Sequence, residues 1–522
     1  MQRHEGERLM TSGQTGTQGP ASAERPAGLE PLDRWVLVVG AVVFALLMAL
    51  SARYGFHRDE LYFLDCARHL QASYVDQPVL APLLARVSLE LFGVSAPGLR
   101  LWAALAASAT VIIGGLTARE LGGGRRAQLL AAIGAATMPT LLGSGHVANT
   151  TCYDILAWAA LALIVVRIGR TGDTRWWLIA GVVAGLGTED NHLAGIFAIA
   201  LVAGVLLSGG YRLLLARWFA VGVAIAVALE IPDLWWQATH GWATLAMTHA
   251  LNQENGGLVN GVGFIIAQLV IVALPLAWVW MVGLRFLWRS GRAPWRAVVW
   301  AYGLLFVVFA LTTGGQIYYL AGVYVCLLAA GAVSLETWFR KRAGLLRGLL
   351  AITALFTAAT VVTVLPVLPP ADVAWTYKIS AINGETIGWP QLVSTVRTVW
   401  LSLPPQQRAQ AVIFTENYSE EGAISELGRG DGLPHAVGGQ NTDWWWGPGN
   451  PHATTVVAVS SGPQDTTGYA AYLRQFFTSV RPVAVVSNPY GMHNIEWHGQ
   501  VYVCTGLRQP WGQLWPRLRH YD

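Results

Sequence analysis

Apolar stretches of roughly 17–22 residues recur from Trp35 to Pro366, the length a ~30 Å hydrocarbon core demands of a helix. They fall near 35–50, 99–118, 127–143, 153–168, 176–190, 191–208, 214–231, 261–284, 296–313, 317–336 and 346–366. A backbone inside lipid must satisfy its own polar groups, so these stretches predict an all-α polytopic membrane domain of about eleven transmembrane helices. Composition agrees: 54% of residues are hydrophobic and 12% charged, against ~25% charged in soluble domains. Four cysteines in 522 residues exclude a disulfide scaffold. A net charge of +4 gives no reason to expect nucleic acid as a partner.

Charge in the connections sets the predicted orientation. Arg119, Arg125 and Arg126 lie between the second and third stretches, and Arg167, Arg170 and Arg175 between the fourth and fifth. Arg212 and Arg217, then Arg285, Arg289, Arg292 and Arg296, then Arg340, Lys341, Arg342 and Arg347 follow in alternate connections, whereas 144–152 and 232–260 hold no Lys or Arg. Basic loops stay cytoplasmic. The amino terminus is therefore expected inside, at a multi-pass cell membrane, and the chain after Pro366 outside.

Residues 1–34 are polar and read as a disordered cytoplasmic tail. The first outer segment, 53–98, carries charges of both signs, and its two halves have helical periodicity, with Leu80, Leu83, Leu84, Val87 and Leu91 on one stripe. They read as short amphipathic helices lying in the interface. After the prolines at 366, 369 and 370 the composition changes. Residues 371–522 alternate β-rich runs (411–418, 454–460, 480–487, 501–507) with helical patterns at 391–403 and 467–478, which predicts a small extracytoplasmic α/β domain with a mostly parallel sheet.

Six polar clusters flank the predicted outer ends. His57-Arg58-Asp59-Glu60 follows the first stretch; adjacent carboxylates there serve as a general base, as metal ligands, or merely as helix-starting acids. Asp76-Gln77-Pro78 reads as a site residue or a helix cap. Asp154 stands at the mouth of the fourth stretch in a loop without cations, a loop acid or a functional one. Glu189-Asp190-Asn191-His192 is a polar turn between two apolar stretches. His249, with Asn252, Gln253 and Glu254, follows a tryptophan-rich segment; a histidine of this kind binds a divalent metal only with a carboxylate from elsewhere. Gly314-Gly315-Gln316-Ile317-Tyr318-Tyr319 opens the tenth stretch, its hydroxyls suited to a phosphate or to the aromatic belt. All six project to one side, whereas transporters gather polar groups at the midplane between repeats.

The motifs His57-Arg-Asp-Glu-Leu-Tyr62, Tyr74-Val-Asp-Gln-Pro78, Asn149–Asp154, Trp236-Gln237…Gly241-Trp242 and Gly315-Gln-Ile-Tyr-Tyr-Leu320 resemble the integral-membrane glycosyltransferases of the GT-C fold, most closely family 39, over roughly residues 35–340. Phe414–Ile424 and Trp446-Gly-Pro448 resemble the extracytoplasmic tail of bacterial members. The resemblance implies a GT-C catalytic domain over 35–366 and a separate domain over 371–522. It implies transfer of a sugar from a polyprenyl-phosphate donor to an acceptor hydroxyl on the outer face, with inversion. Asp59 would be the general base and Glu60 would shape its site. Arg58, Asp154, His192, Tyr318 and Tyr319 would contact donor or acceptor, and Asp76 with His249 would hold a divalent cation, Asp76 also binding substrate. Relatives carry lysines where this chain has Asn191 and Gln316, and its two lysines, Lys341 and Lys378, lie elsewhere. The rival readings are a polar-lipid transporter or flippase, and a non-catalytic membrane protein that binds envelope glycan.

Overall fold

The computed structural model describes residues 29–254, 258–311, 316–462 and 466–521; most of the expected amino-terminal tail, residues 1–28, and Gly314 and Gly315 lie outside the described residues. The chain builds a helical bundle, α1–α16, followed by a mixed α/β unit. Among the described residues six helices are long and apolar enough to cross a membrane: α4 (Ala96–Glu120), α7 (Thr150–Thr171), α10 (Arg217–Thr239), α14 (Ala293–Leu311), α15 (Ala321–Lys341) and α16 (Ala343–Val364). Three shorter apolar helices, α1 (Arg34–Leu50), α8 (Trp176–Thr188) and α9 (His192–Leu207), match three further predicted stretches. The protein is a multi-pass membrane protein.

Two predicted spans are broken. The stretch near 127–143 divides into α5 (Arg125–Ala136) and α6 (Pro139–His146), bent by 59°. Pro139 at the head of α6 disfavours helical backbone at Met138, which is extended with ψ 121°. The stretch near 261–284 divides into α12 (Leu258–Val270) and α13 (Ala277–Arg289), the two halves bent by 85° around Ala273 (φ 68°) and Pro275.

The first outer segment forms α2 (Arg58–Arg68) and α3 (Leu80–Phe92), as expected. In α3 the small residues Ala81, Ala85 and Ser88 pack inward, while Leu83, Leu91 and Phe92 are exposed. That outward apolar stripe suits a helix resting on lipid. A further helix, α11 (Ala243–Glu254), follows α10.

Contacts sort the helix ends into two sets. At one end, buried Glu120 accepts from Arg167 (2.8 Å) and Arg170 (2.6 Å), Asp33 N–H donates to Gln128 and Arg292 donates to the Gly169 carbonyl. These are the basic connections. At the other end lie α2, the turn at 189–191 and the α/β unit, tied together by Leu80 N–H to the Glu189 carbonyl and Asn383 to the Thr363 and Leu365 carbonyls. The polar clusters thus share one end of the bundle.

The α/β unit comprises α17 (Trp389–Ser402), α18 (Pro405–Arg408), β1 (Ala411–Thr415), α19 (Tyr418–Leu427), β2 (Val437–Gly438), β3 (Thr455–Val459), α20 (Thr466–Arg474), β4 (Phe477–Val485), β5 (Gln500–Leu507) and α21 (Trp511–Leu514). The sheet order is β2-β1-β3-β5-β4. Here the expectation of a mostly parallel sheet is corrected: β2, β1 and β3 run parallel, but β5 is antiparallel to both β3 and β4. Tyr418, expected in the first strand, instead opens α19, because Asn417 turns the chain and caps the helix by accepting from Ser419 N–H. One face of the sheet packs on Trp389, Leu392 and Val396 of α17 and Ile424 of α19; Leu61 of α2 completes that core. The other face packs on Leu473, Trp511 and Trp515.

Candidate active site

The site begins with the first turn of α2. His57 caps the helix, its Nδ1 accepting from Asp59 N–H at 3.3 Å, and its own N–H donates to Glu60 at 2.7 Å. Asp59 and Glu60 then diverge, as neighbours about 100° apart on a helix must. Glu60 is fully buried and encircled: Arg100 Nε and Nη2 reach its two oxygens at 2.8 Å each, and Ala148 N–H donates at 2.9 Å. Arg100 also donates to the Ser51 and Gly55 carbonyls, closing the loop after α1. Glu60, expected as half of a catalytic pair, therefore holds α2 against α4 and has no lone pair left for chemistry.

Asp59 remains accessible, its side chain 35% exposed. It accepts from the Tyr418 hydroxyl of α19 at 3.0 Å, and His57 Nδ1 stands 3.6 Å away. His57 Nε2 lies 3.0 Å from Glu385. Burial works against charge on His57, yet the carboxylates of Asp59, Glu385 and Glu60 outweigh it and hold the imidazole above its usual pKa. Arg58 lies over the Tyr418 ring at 4.9 Å and 3.6 Å from Glu385. Glu496, almost fully enclosed, also faces Arg58; burial pushes its carboxyl up to about 8 despite that guanidinium.

Asp76 lies within electrostatic reach of Asp59 and accepts from the Tyr62 hydroxyl (2.7 Å) and Thr442 (3.3 Å). Burial pushes its carboxyl up to about 6, against the pull of those hydrogen bonds. Tyr318 faces Asp59, Asp154 and Thr151 together, and Tyr319 also faces Asp154. Asp154 is buried, with Oδ1 unpartnered among the described residues, and Asp190 is a close neighbour with neither oxygen bonded. Asp59, Asp76, Tyr318, Tyr319 and Asp154 thus form one neighbourhood.

Other expected residues stand apart. His192 pairs with Asp233 of α10 at 3.2 Å, and Glu230 completes a group able to hold a metal. His249 is exposed and bonds Gln253 at 2.9 Å, and no group of three or more metal-ligating side chains among the described residues includes it or Asp76. Asn191 caps α9 through Leu193 N–H. Sequence reasoning missed Arg100, Tyr418, Glu385 and Glu496. For Arg100 a signal existed, because an arginine inside an apolar helix needs a buried anionic partner.

An apolar cavity of about 470 Å³ runs between α8, α9 and α10, lined by Ala184, Ile199, Phe219, Val223 and Val227 and ending at Glu230.

A family model described as dolichyl-phosphate-mannose-protein mannosyltransferase matches residues 76–236. No curated protein matches the chain. Among solved structures, ArnT from Cupriavidus metallidurans bound to undecaprenyl phosphate aligns with a TM-score of 0.62 at 14% identity, covering 90% of this chain and 98% of that one. The same enzyme in the apo state gives 0.60 at 16% identity over 90% and 98%. The oligosaccharyltransferase AglB from Archaeoglobus fulgidus, in complex with an inhibitory peptide and a dolichol-phosphate, gives 0.50 at 14% over 84% and 70%. The resemblance read from the motifs is borne out: the chain has the GT-C fold of these membrane glycosyltransferases and, over 76–236, matches the dolichyl-phosphate-mannose-protein mannosyltransferase model.

Proposed function

We propose that this protein is an inverting glycosyltransferase that moves a sugar from a polyprenyl-phosphate donor to an acceptor hydroxyl at the outer membrane surface. One observation carries the reading: of the two adjacent carboxylates, Glu60 is locked by Arg100 while Asp59 is left open and oriented by Tyr418. Asp59 takes the acceptor proton as the acceptor oxygen attacks the anomeric carbon, and the bond to the lipid phosphate breaks with its electrons leaving on phosphate oxygen. A phosphate leaves without acid help, so the remaining task is to stabilise its charge. Arg58 and the hydroxyls of Tyr318 and Tyr319 take that role in place of the lysines absent at Asn191 and Gln316. Asp154 and Asp76 contact the sugar or acceptor, and His192 lies beside the apolar cavity that suits a prenyl chain.

The basic loops at the opposite end support eleven spans, a cytoplasmic amino terminus, a transmembrane domain over 35–366 and an extracytoplasmic domain over 371–522. If a divalent cation serves the transfer, the His192, Glu230 and Asp233 group fits one better than Asp76 with His249.

The test is transfer from a radiolabelled polyprenyl-phosphate sugar by purified protein. Asp59→Asn keeps the size and the hydrogen bond to Tyr418 but cannot take a proton, so turnover should fall ~10²–10⁴-fold with donor binding nearly unchanged. Full activity in Asp59→Asn would remove the base and with it the transferase reading.

A further inference from the structure

Away from Asp59, α2 meets the α/β unit a second time. Asp65 Oδ1 lies 3.0 Å from His435 Nε2, on the approach to β2, and 3.2 Å from His69 Nδ1, which is equally 3.2 Å from the Asp65 carbonyl. One ligand atom from each of the three side chains lies within 4.8 Å of the others. The edges of a tetrahedral zinc site with ~2.0–2.1 Å arms are about 3.3 Å, close to these separations. His69 is stacked on Trp446 with centroids 4.6 Å apart and meets His435 edge-on at 5.2 Å, so both rings are held in place.

Two observations point to a cation. The first is tautomeric. His435 Nδ1 is 2.6 Å from the Ala436 carbonyl and must carry its proton there. A neutral ring then aims the Nε2 lone pair at a carboxylate oxygen, an arrangement that needs either a second proton or a metal between them. The second is an orphan: Asp65 is 1% exposed, and its Oδ2 has no hydrogen-bond partner among the described residues. Arg68 and Arg429 stand nearby, but both ion-pair with Glu426. Two imidazole nitrogens and a carboxylate oxygen form a zinc-type ligand set. The adjoining cleft of about 400 Å³, lined by Arg68, His69, Arg429, Leu433 and His435, leaves room for water as a fourth ligand.

We propose that Asp65, His69 and His435 form a zinc-binding site that staples the α/β unit to α2. Asp65 lies six residues beyond Asp59 on one helix, about 9 Å along its axis, so a metal here fixes the unit that delivers Tyr418. The proposal is independent of the transferase reading and of the His192 group.

Full-length protein carrying a histidine-free tag, purified without chelator and equilibrated with zinc, is assayed for metal by mass spectrometry. Expected is about one zinc per chain bound here, lost at least ten-fold in His435→Gln and in Asp65→Asn and retained in His192→Gln and His249→Gln. Each variant is first checked for monodisperse elution, and cobalt substitution of the wild type should give the visible absorption of a tetrahedral site. A chelator should lower the melting temperature of the wild type but not of His435→Gln. Wild-type protein that takes up no zinc, or a monodisperse His435→Gln/His192→Gln double variant that binds as much zinc as His192→Gln alone, overturns the proposal.

Discussion

Arg100 is one charge whose removal should be felt through the whole α2 end of the bundle. Its guanidinium is 1% exposed and answers both oxygens of an equally buried Glu60. Truncating one member of a buried pair leaves the other uncompensated, at a cost of ~3–5 kcal/mol. Arg100→Met should therefore lower the melting temperature steeply, and the double variant Arg100→Met with Glu60→Gln should recover part of the loss; a double variant no better than the single one counts against the pairing. Asp76 gives a pH signature. Its folded carboxyl is raised to about 6 by burial, so the stability it contributes is present at low pH and is lost as pH rises from its unfolded value through 6. Asp76→Asn, uncharged throughout, should gain stability relative to wild type between pH 4 and pH 7, read from paired melting curves. Asp59 was legible because it sits in a local motif of three neighbours. Tyr418 was not, because it reaches the motif from 359 residues away, and Arg100 signalled a buried anionic partner without saying which, since Glu60 lies 40 residues from it.

At the scale of elements, helix existence followed from apolar length, while breaks and strand directions did not. Pro139 and Pro275 lie within stretches whose hydropathy alone reads as continuous, and only backbone geometry reveals bends of 59° and 85°. Strand direction in the sheet depends on which neighbour each strand finds: β5 enters between β3 and β4, and this reverses half the pairings. One close helix contact is similarly specific. At Gly181 of α8 an added Cβ would overlap the Gly222 carbonyl of α10, and one at Gly222 would overlap the Trp177 carbonyl. Gly222→Val should force α8 and α10 apart, costing ~1–3 kcal/mol and widening the cavity between them. A melting temperature equal to wild type in the same detergent would show that the two helices do not pack this closely.

For the whole molecule, the testable property is sidedness. Lys378 is exposed in the connection after α16, and all four native cysteines are buried. Lys378→Cys should accordingly react with a membrane-impermeant maleimide in intact cells, with little background from the native thiols. Labelling only after permeabilisation would invert the topology and place α2 in the wrong compartment for a lipid-linked donor. Arginine placement alone predicts the orientation; the gathering of basic loops at the end opposite α2 is the three-dimensional counterpart of that pattern.

The hydrogen bond from Tyr418 to Asp59 also sets a schedule. A ribosome adding ~5–20 residues per second needs roughly 20–70 s to travel the 359 residues between them. Throughout that interval α2 has been inserted without its partner from α19. The newborn chain therefore carries the Asp59 carboxylate unaimed until the α/β unit has been made and has packed onto α2. On the proposed function, a chain that stops before Tyr418 should be inert, because nothing would orient its base.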